Sequence, residues 1–232
     1  MNVLAIGCHP DDIECECMGT LIKCVKRGDR VTACHVANGN MGHEIIKPDE
    51  LRDIRREEAR AAGRLVGVEV ESIDIGDLLP DGYSLEQRDA IMELIRRVQP
   101  DMIITQDPND YMPDHRAVSK LVFDASFAAT VPQYGKGPKA AAVPIYYMGN
   151  SGGHQFAPTE YVDITDEIEQ KIQALECHES QVKWLRDHDG IDLSEFVRST
   201  SGFFGLQCGV PYAEGFRQEM TWGKVITRRL LP

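Results

Sequence analysis

Apolar runs of strand length alternate with segments of helical period along this chain, and that alternation restricts its fold more than any other feature. Residues 3–8, 31–37, 72–75, 102–105 and 145–148 read as strands. The first is apolar almost throughout, which suits a central strand covered on both faces. Helical segments lie between them. One spans 19–26, with Gly28 just beyond its end. A second opens at Pro48-Asp49 and runs from about 50 to 66, with Ile54, Ala61, Leu65 and Val66 as its apolar stripe and its Arg and Glu residues in water. A third is capped by Ser84 and stops near Val98, ahead of Pro100. Asp114 is expected to cap a fourth, and Thr165 a long fifth that carries Ile168, Ile172, Leu175 and Val182. Segments 38–42, 107–113 and 133–139, and the stretch holding Gly152-Gly153 and Pro158, read as loops. Strand–helix alternation of this kind predicts an α/β fold with helices on both faces of a mostly parallel sheet. A length of 232 residues suits one well-buried domain, and no linker divides it, so 1–232 is expected to be a single domain. From Asp189 onward the pattern fades.

Charge and composition exclude several roles. A net charge of −12 disfavours nucleic acid and anionic membrane as partners, because phosphates are repelled. No apolar run is long enough to span a bilayer. The opening MNVLAIGCHPDD lacks a basic stretch and a cleavage site, so it reads as a strand and not as a signal peptide. The seven cysteines are odd in number and irregularly spaced, and no pair of CxxC knuckles exists. They read as small buried thiols in a reducing cytoplasm.

In open parallel sheets, sites form beyond the carboxyl ends of the strands. Two polar clusters fall there. His9-Pro10-Asp11-Asp12 follows the first strand, and the segment from Asp110 to Arg116 follows the fourth. His9, Asp12 and His115 offer two imidazoles and a carboxylate, a set suited to catalytic zinc, or another divalent ion, with one position open to water. Such an ion lowers the pKa of its water to about 7. Asp11 could accept that proton, Pro10 stiffens the backbone between them, and Asp114 could orient an imidazole. Taken singly, an Asp pair after a strand can simply cap a helix, and an Asp-His after proline is a weak signal. Their shared position at the sheet end favours the functional reading.

At these residues the chain resembles the LmbE-like, or PIG-L, deacetylase superfamily, whose hallmarks are an A-H-P-D-D segment and a later H-P-D-H segment. Here they stand as Gly7-Cys8-His9-Pro10-Asp11-Asp12-Ile13-Glu14, followed by Gly19-Thr20-Leu21, and as Pro113-Asp114-His115 after Asn109-Asp110-Tyr111. Arg55-x-x-Glu58, Ile75-Gly76-Asp77, His178-Glu179-Ser180-Gln181 and Tyr212-Ala213-Glu214-Gly215-Phe216 extend the likeness over nearly the whole chain. The resemblance implies a Rossmann-like three-layer α/β/α fold and hydrolysis of N-acetylglucosamine-type amides or related thiol–sugar conjugates. It implies zinc on His9, Asp12 and His115, a general base at Asp11, support of the imidazoles by Asp114, and substrate contacts at Arg55, Asp77 and Tyr111. The expected partner is a small N-acylated sugar; family members are often homo-oligomers, and no feature here decides that.

The chain also departs from the family. Met112 stands where the family has a histidine that helps stabilise the oxyanion or protonate the amine, and a thioether does neither. Tyr111 and His154 are the candidates to replace it. Glu16 and Met18 stand in place of glycines. These departures keep open a thiol–sugar conjugate amidase and a catalytically impaired metal- or sugar-binding protein. A dinucleotide-binding protein is disfavoured, because no GxGxxG follows the first strand.

Overall fold

The computed structural model describes residues 1–152 and 154–232; Gly153, half of the expected Gly152-Gly153 loop, lies outside them. All five expected strands form: β1 (Asn2–Gly7), β2 (Arg30–Ala37), β3 (Glu69–Ile75), β4 (Met102–Thr105) and β5 (Ile145–Met148). Two more, β6 (Glu160–Asp163) and β7 (Ala213–Gln218), come from stretches with no legible strand pattern. Together they make one sheet in the order β3-β2-β1-β4-β5-β7-β6. The first five pair in parallel, and β7 runs antiparallel between β5 and β6.

The helices are α1 (Asp12–Glu16), α2 (Met18–Lys26), α3 (Pro48–Val66), α4 (Leu85–Val98), α5 (Pro113–Ala128), α6 (Ile168–Glu176), α7 (Glu179–Trp184) and α8 (Leu193–Cys208). They cover both faces, and the two-residue period of a strand explains how. On β1, Val3 and Ala5 join a core with Ile22, Val66 and Ile168, while Leu4 and Ile6 join a second core with Ile91, Ile95, Val118 and Val122. Both faces of β1 are therefore buried, as its apolar run requires. The result is a three-layer α/β/α fold.

Four local expectations are corrected. The buried face of α3 is Leu51, Arg55, Ala59, Ala62 and Val66, and Leu65 is 46% exposed. Arg55 turns inward because carboxylate and carbonyl partners wait there. Asp114 does not cap α5: the helix begins at Pro113, a residue suited to the first helical position, with Met112 at the cap. The long helix expected after Thr165 is two helices broken at Cys177 and His178, and the Thr165 hydroxyl donates to the Asp163 carboxylate at 2.6 Å instead of capping. The unreadable tail holds α8 and β7. Ser84 does cap α4, accepting from the Gln87 N–H.

Glu214 fastens the antiparallel end to the rest, and a buried lysine neutralises it. Lys171 Nζ lies 2.6 Å from Glu214 Oε1 on β7, with both side chains at most 2% exposed. Glu214 also accepts from the N–H groups of Gly19 and Thr20 at 2.8 and 2.7 Å, in the first turn of α2, where the helix dipole favours an anion. A Cβ at Gly19 would meet Ile164 at 2.8 Å, so this approach needs glycine. Among the described residues, no helix is long and apolar enough to cross a membrane.

Candidate active site

The strand order reverses between β1 and β4, so the chain leaves these neighbours in opposite directions and opens a crevice beyond their carboxyl ends. The two polar clusters meet there. His9, Asp12 and His115, with the Cys8 thiol, bring one donor atom each to within 4.8 Å of one another. His9 Nδ1 lies 3.6 Å, and His115 Nε2 3.3 Å, from the same Asp12 oxygen. The ring centroids are 5.4 Å apart.

The outward nitrogen of each imidazole faces its own carboxylate. His9 Nε2 is 3.3 Å from Asp114, and His115 Nδ1 is 3.0 Å from Asp110. Fixing a ring through its far nitrogen aims the near one inward. Asp114 thus serves His9, across the crevice, and not its neighbour His115. Asp110 serves His115; its role was missed, although it stands in the Asn109-Asp110-Tyr111 match and five residues before the ring it holds. Gln106 Nε2 adds contacts to His115 Nδ1 and to Asp12, both at 3.2 Å.

The arrangement fits a cation. His115 Nε2 is buried and has no hydrogen-bond partner among the described residues. Burial alone would strip a proton from each ring, yet the surrounding carboxylates outweigh it: His9 is held well above the usual imidazole range and His115 is pushed up to about 12. Burial works against the Asp12 carboxylate too, but the two rings hold it well below its ordinary range. A cluster that binds protons this firmly offers the same electron pairs to a divalent ion. Burial pushes the Cys8 thiol up, so it stays protonated.

Asp11 is held separately. Its backbone adopts φ 115°, ψ −24°, a left-handed conformation that costs a non-glycine residue about 1–3 kcal/mol. Arg55, 2% exposed, holds it there by donating to the Asp11 carboxylate at 2.9 Å, to the Pro10 carbonyl and to the Gly39 carbonyl at 3.2 Å. Gly39 has φ 75°, and a Cβ there would strike the guanidinium at 2.6 Å. Burial raises the proton affinity of Asp11 above an ordinary carboxylate despite Arg55. Two consecutive aspartates therefore differ: the rings hold Asp12 as an anion, while burial makes Asp11 the stronger base.

The other matched residues build the walls. Asp77 accepts from the Gly39 and Met41 N–H groups at 2.7 and 2.9 Å and so shapes the loop after β2. Glu58 accepts from the Ser180 N–H and hydroxyl, both at 2.7 Å, and Gln181 donates to the Gly42 carbonyl at 2.7 Å, tying α7 to α3 and to that loop. His178 is fully buried, 3.4 Å from Glu14. Asp11, Arg55, Asp77, Tyr111, Met112 and Asp114 all line one cleft above the two imidazoles. Tyr111 lines it and is 58% exposed; His154, the other candidate to replace the family histidine, is absent from the described lining. Glu16 is buried and accepts from the Ser151 hydroxyl at 3.2 Å, and Met18 fills the core, so both glycine replacements are absorbed.

Comparison with known proteins gives the same frame. Diacetylchitobiose deacetylase of Thermococcus kodakarensis is 31% identical over 93% of this chain and 82% of its own. 4-Oxalmesaconate hydratase of Pseudomonas putida is 26% identical over 93% of this chain and 88% of its own. The solved N,N'-diacetylchitobiose deacetylase of Pyrococcus horikoshii, bound to its inhibitor MPG, superposes with a TM-score of 0.81 at 30% identity, over 94% of this chain and 83% of that one. Residues 4–126, which hold both halves of the imidazole–carboxylate cluster, match the PIG-L family, GlcNAc-PI de-N-acetylase, and the chain belongs to that family.

Proposed function

We propose that this protein is a metal-dependent N-deacetylase acting on an N-acetylated amino sugar, with zinc as the ion that its two imidazoles and one carboxylate suit best. The observation that carries the reading is the meeting of His9, Asp12 and His115 beside a second, separately held carboxylate, Asp11. His9, Asp12 and His115 would hold the ion, which when bound polarises an amide carbonyl and acidifies water.

The chain's own groups do the rest. Asp110 and Asp114 keep the rings aimed inward. Asp11, buried and raised in proton affinity, takes a proton from the attacking water and delivers it to the departing amine. Arg55 fixes that carboxylate, while Asp77 and Tyr111 border the space where sugar hydroxyls would lie. The deacetylase names of the relatives support the same chemistry.

The test is acetate release from N-acetylglucosamine derivatives by the zinc-loaded protein, with and without Asp11→Asn. The variant should keep its metal and lose at least about a hundredfold in kcat. Bound metal with no acetate from any N-acetylated amino sugar would sink the reading. The hydratase relative spans as much of the chain, and water addition frees no acetate, so the same assay separates the two.

A further inference from the structure

The cleft above the imidazoles has a volume of about 500 Å³. Most of its polar side chains already have partners. Arg55 holds Asp11, Asp77 holds two backbone N–H groups, Asp114 faces His9 and the Leu78 N–H, and Gln181 holds Gly42. Apolar side chains make up much of the remaining lining: Met41, Leu78 and Met112 from the loops after β2, β3 and β4, and Leu185, Ile191 and Phe196 from the segment that follows α7.

Irregular backbone presents half of these. Leu78 has φ 66°, rare for leucine, and its N–H donates to Asp114 at 2.9 Å, so the conformation is anchored to the site itself. Leu185 opens a π-helical turn, Leu185–Asp189, a geometry frequent at functional sites. Ile191 follows Gly190 at φ 68°. Leu78, Ile191 and Phe196 remain 78%, 42% and 37% exposed. Large apolar side chains left open around one cleft mark a surface that a ligand covers. A bare sugar set against them would lose water from its hydroxyls and gain few partners.

We infer that this wall selects N-acetylated amino sugars bearing an apolar aglycone, alkyl or aryl, over the free or methyl sugar. The reacting group rests on the deacetylase reading above; the preference for an apolar appendage rests on the wall alone. Each methylene withdrawn from water favours binding roughly fourfold. A hexyl chain with half its methylenes seated therefore gains at least about tenfold over methyl.

Methyl, hexyl and phenyl β-glycosides of N-acetylglucosamine provide the test, with kcat/KM from acetate release and Kd from calorimetry on the zinc-loaded protein. The hexyl and phenyl glycosides should exceed the methyl glycoside about tenfold or more in both measures. Leu78→Ser combined with Phe196→Ser should cut that ratio to about threefold or less. Equal constants for methyl and hexyl would overturn the inference and leave the deacetylase reading intact. Tighter, wall-dependent hexyl binding without acetate release would keep the apolar preference and overturn the deacetylase reading. Failure of all three glycosides to bind or react would overturn both.

Discussion

The parallel part of the sheet, β1 to β4, and the part from β5 onward serve the cleft in different ways. The first supplies every group of the polar floor: His9, Asp11 and Asp12 beyond β1, Arg55 on α3, Asp77 beyond β3, and Asp110, Asp114 and His115 beyond β4. The second supplies none of the imidazole–carboxylate cluster. It contributes walls, through Ser151, Gln181, Leu185, Ile191 and Phe196, and a fastening, through Glu214, which pairs with Lys171 and accepts from Gly19 and Thr20 at the start of α2. Strand ends at a topological switch point give fixed directions to a few polar groups, which is what chemistry needs. Turns and short helices give an adjustable rim, which is what selectivity needs.

The sharpest test of this division is to weaken the fastening by removing the cation that neutralises Glu214. Lys171→Met leaves the Glu214 carboxylate buried without its cation, and removing one partner of such a pair costs about 3–5 kcal/mol. Denaturant midpoints should fall accordingly, while zinc affinity under native conditions should change less than about threefold, since the pair touches no donor of the cluster. A large loss of zinc affinity in the folded variant would show that the two parts are not separable.

Smaller effects sharpen the account of the floor. Asp110→Asn removes the charge behind His115 and should weaken metal binding about 10–100-fold by competitive chelator titration. Binding should also follow pH. Without metal, carboxylates hold His9 and His115 protonated well above the usual imidazole range, so an entering ion must displace those protons. Affinity should therefore rise with pH across the neutral range, with proton release visible as a dependence of calorimetric enthalpy on the buffer. A pH-independent affinity would contradict the cluster as drawn. The smallest expected change is a gain: Met112→His places a proton donor in the cleft lining and should raise kcat by about tenfold. An unchanged rate would show that Tyr111 or another group already does this work.

Much of this is legible in the order of residues alone. Five strands, the cap at Ser84 and the two polar clusters at strand ends are all local signals, carried by apolar runs, a serine ahead of a helix, and short runs of Asp and His. Asp114 reads as a cap because a carboxylate near a helix start fits that role, yet Pro113 takes the first helical position and Met112 the cap. The family match singles out Arg55, but its burial is hidden for a similar reason. An arginine among Arg and Glu on an amphipathic helix reads as solvated, and only the strained Asp11 and the glycine loop opposite it draw it inward.

What the amino-acid sequence determined by itself was the fold class, the family and the two polar clusters, because strand period, helix period and the His-Pro-Asp-Asp segment are set by residues close together in the chain. What the tertiary structure alone decided was pairing at a distance: which carboxylate faces which imidazole, that β7 enters the sheet antiparallel, and that the segment after α7 lines the cleft. Those choices depend on contacts between residues far apart in the chain, such as Gly19 with Glu214, 195 positions on. No local propensity encodes them; they are fixed when burial limits each polar group to the partners that the folded chain brings within reach.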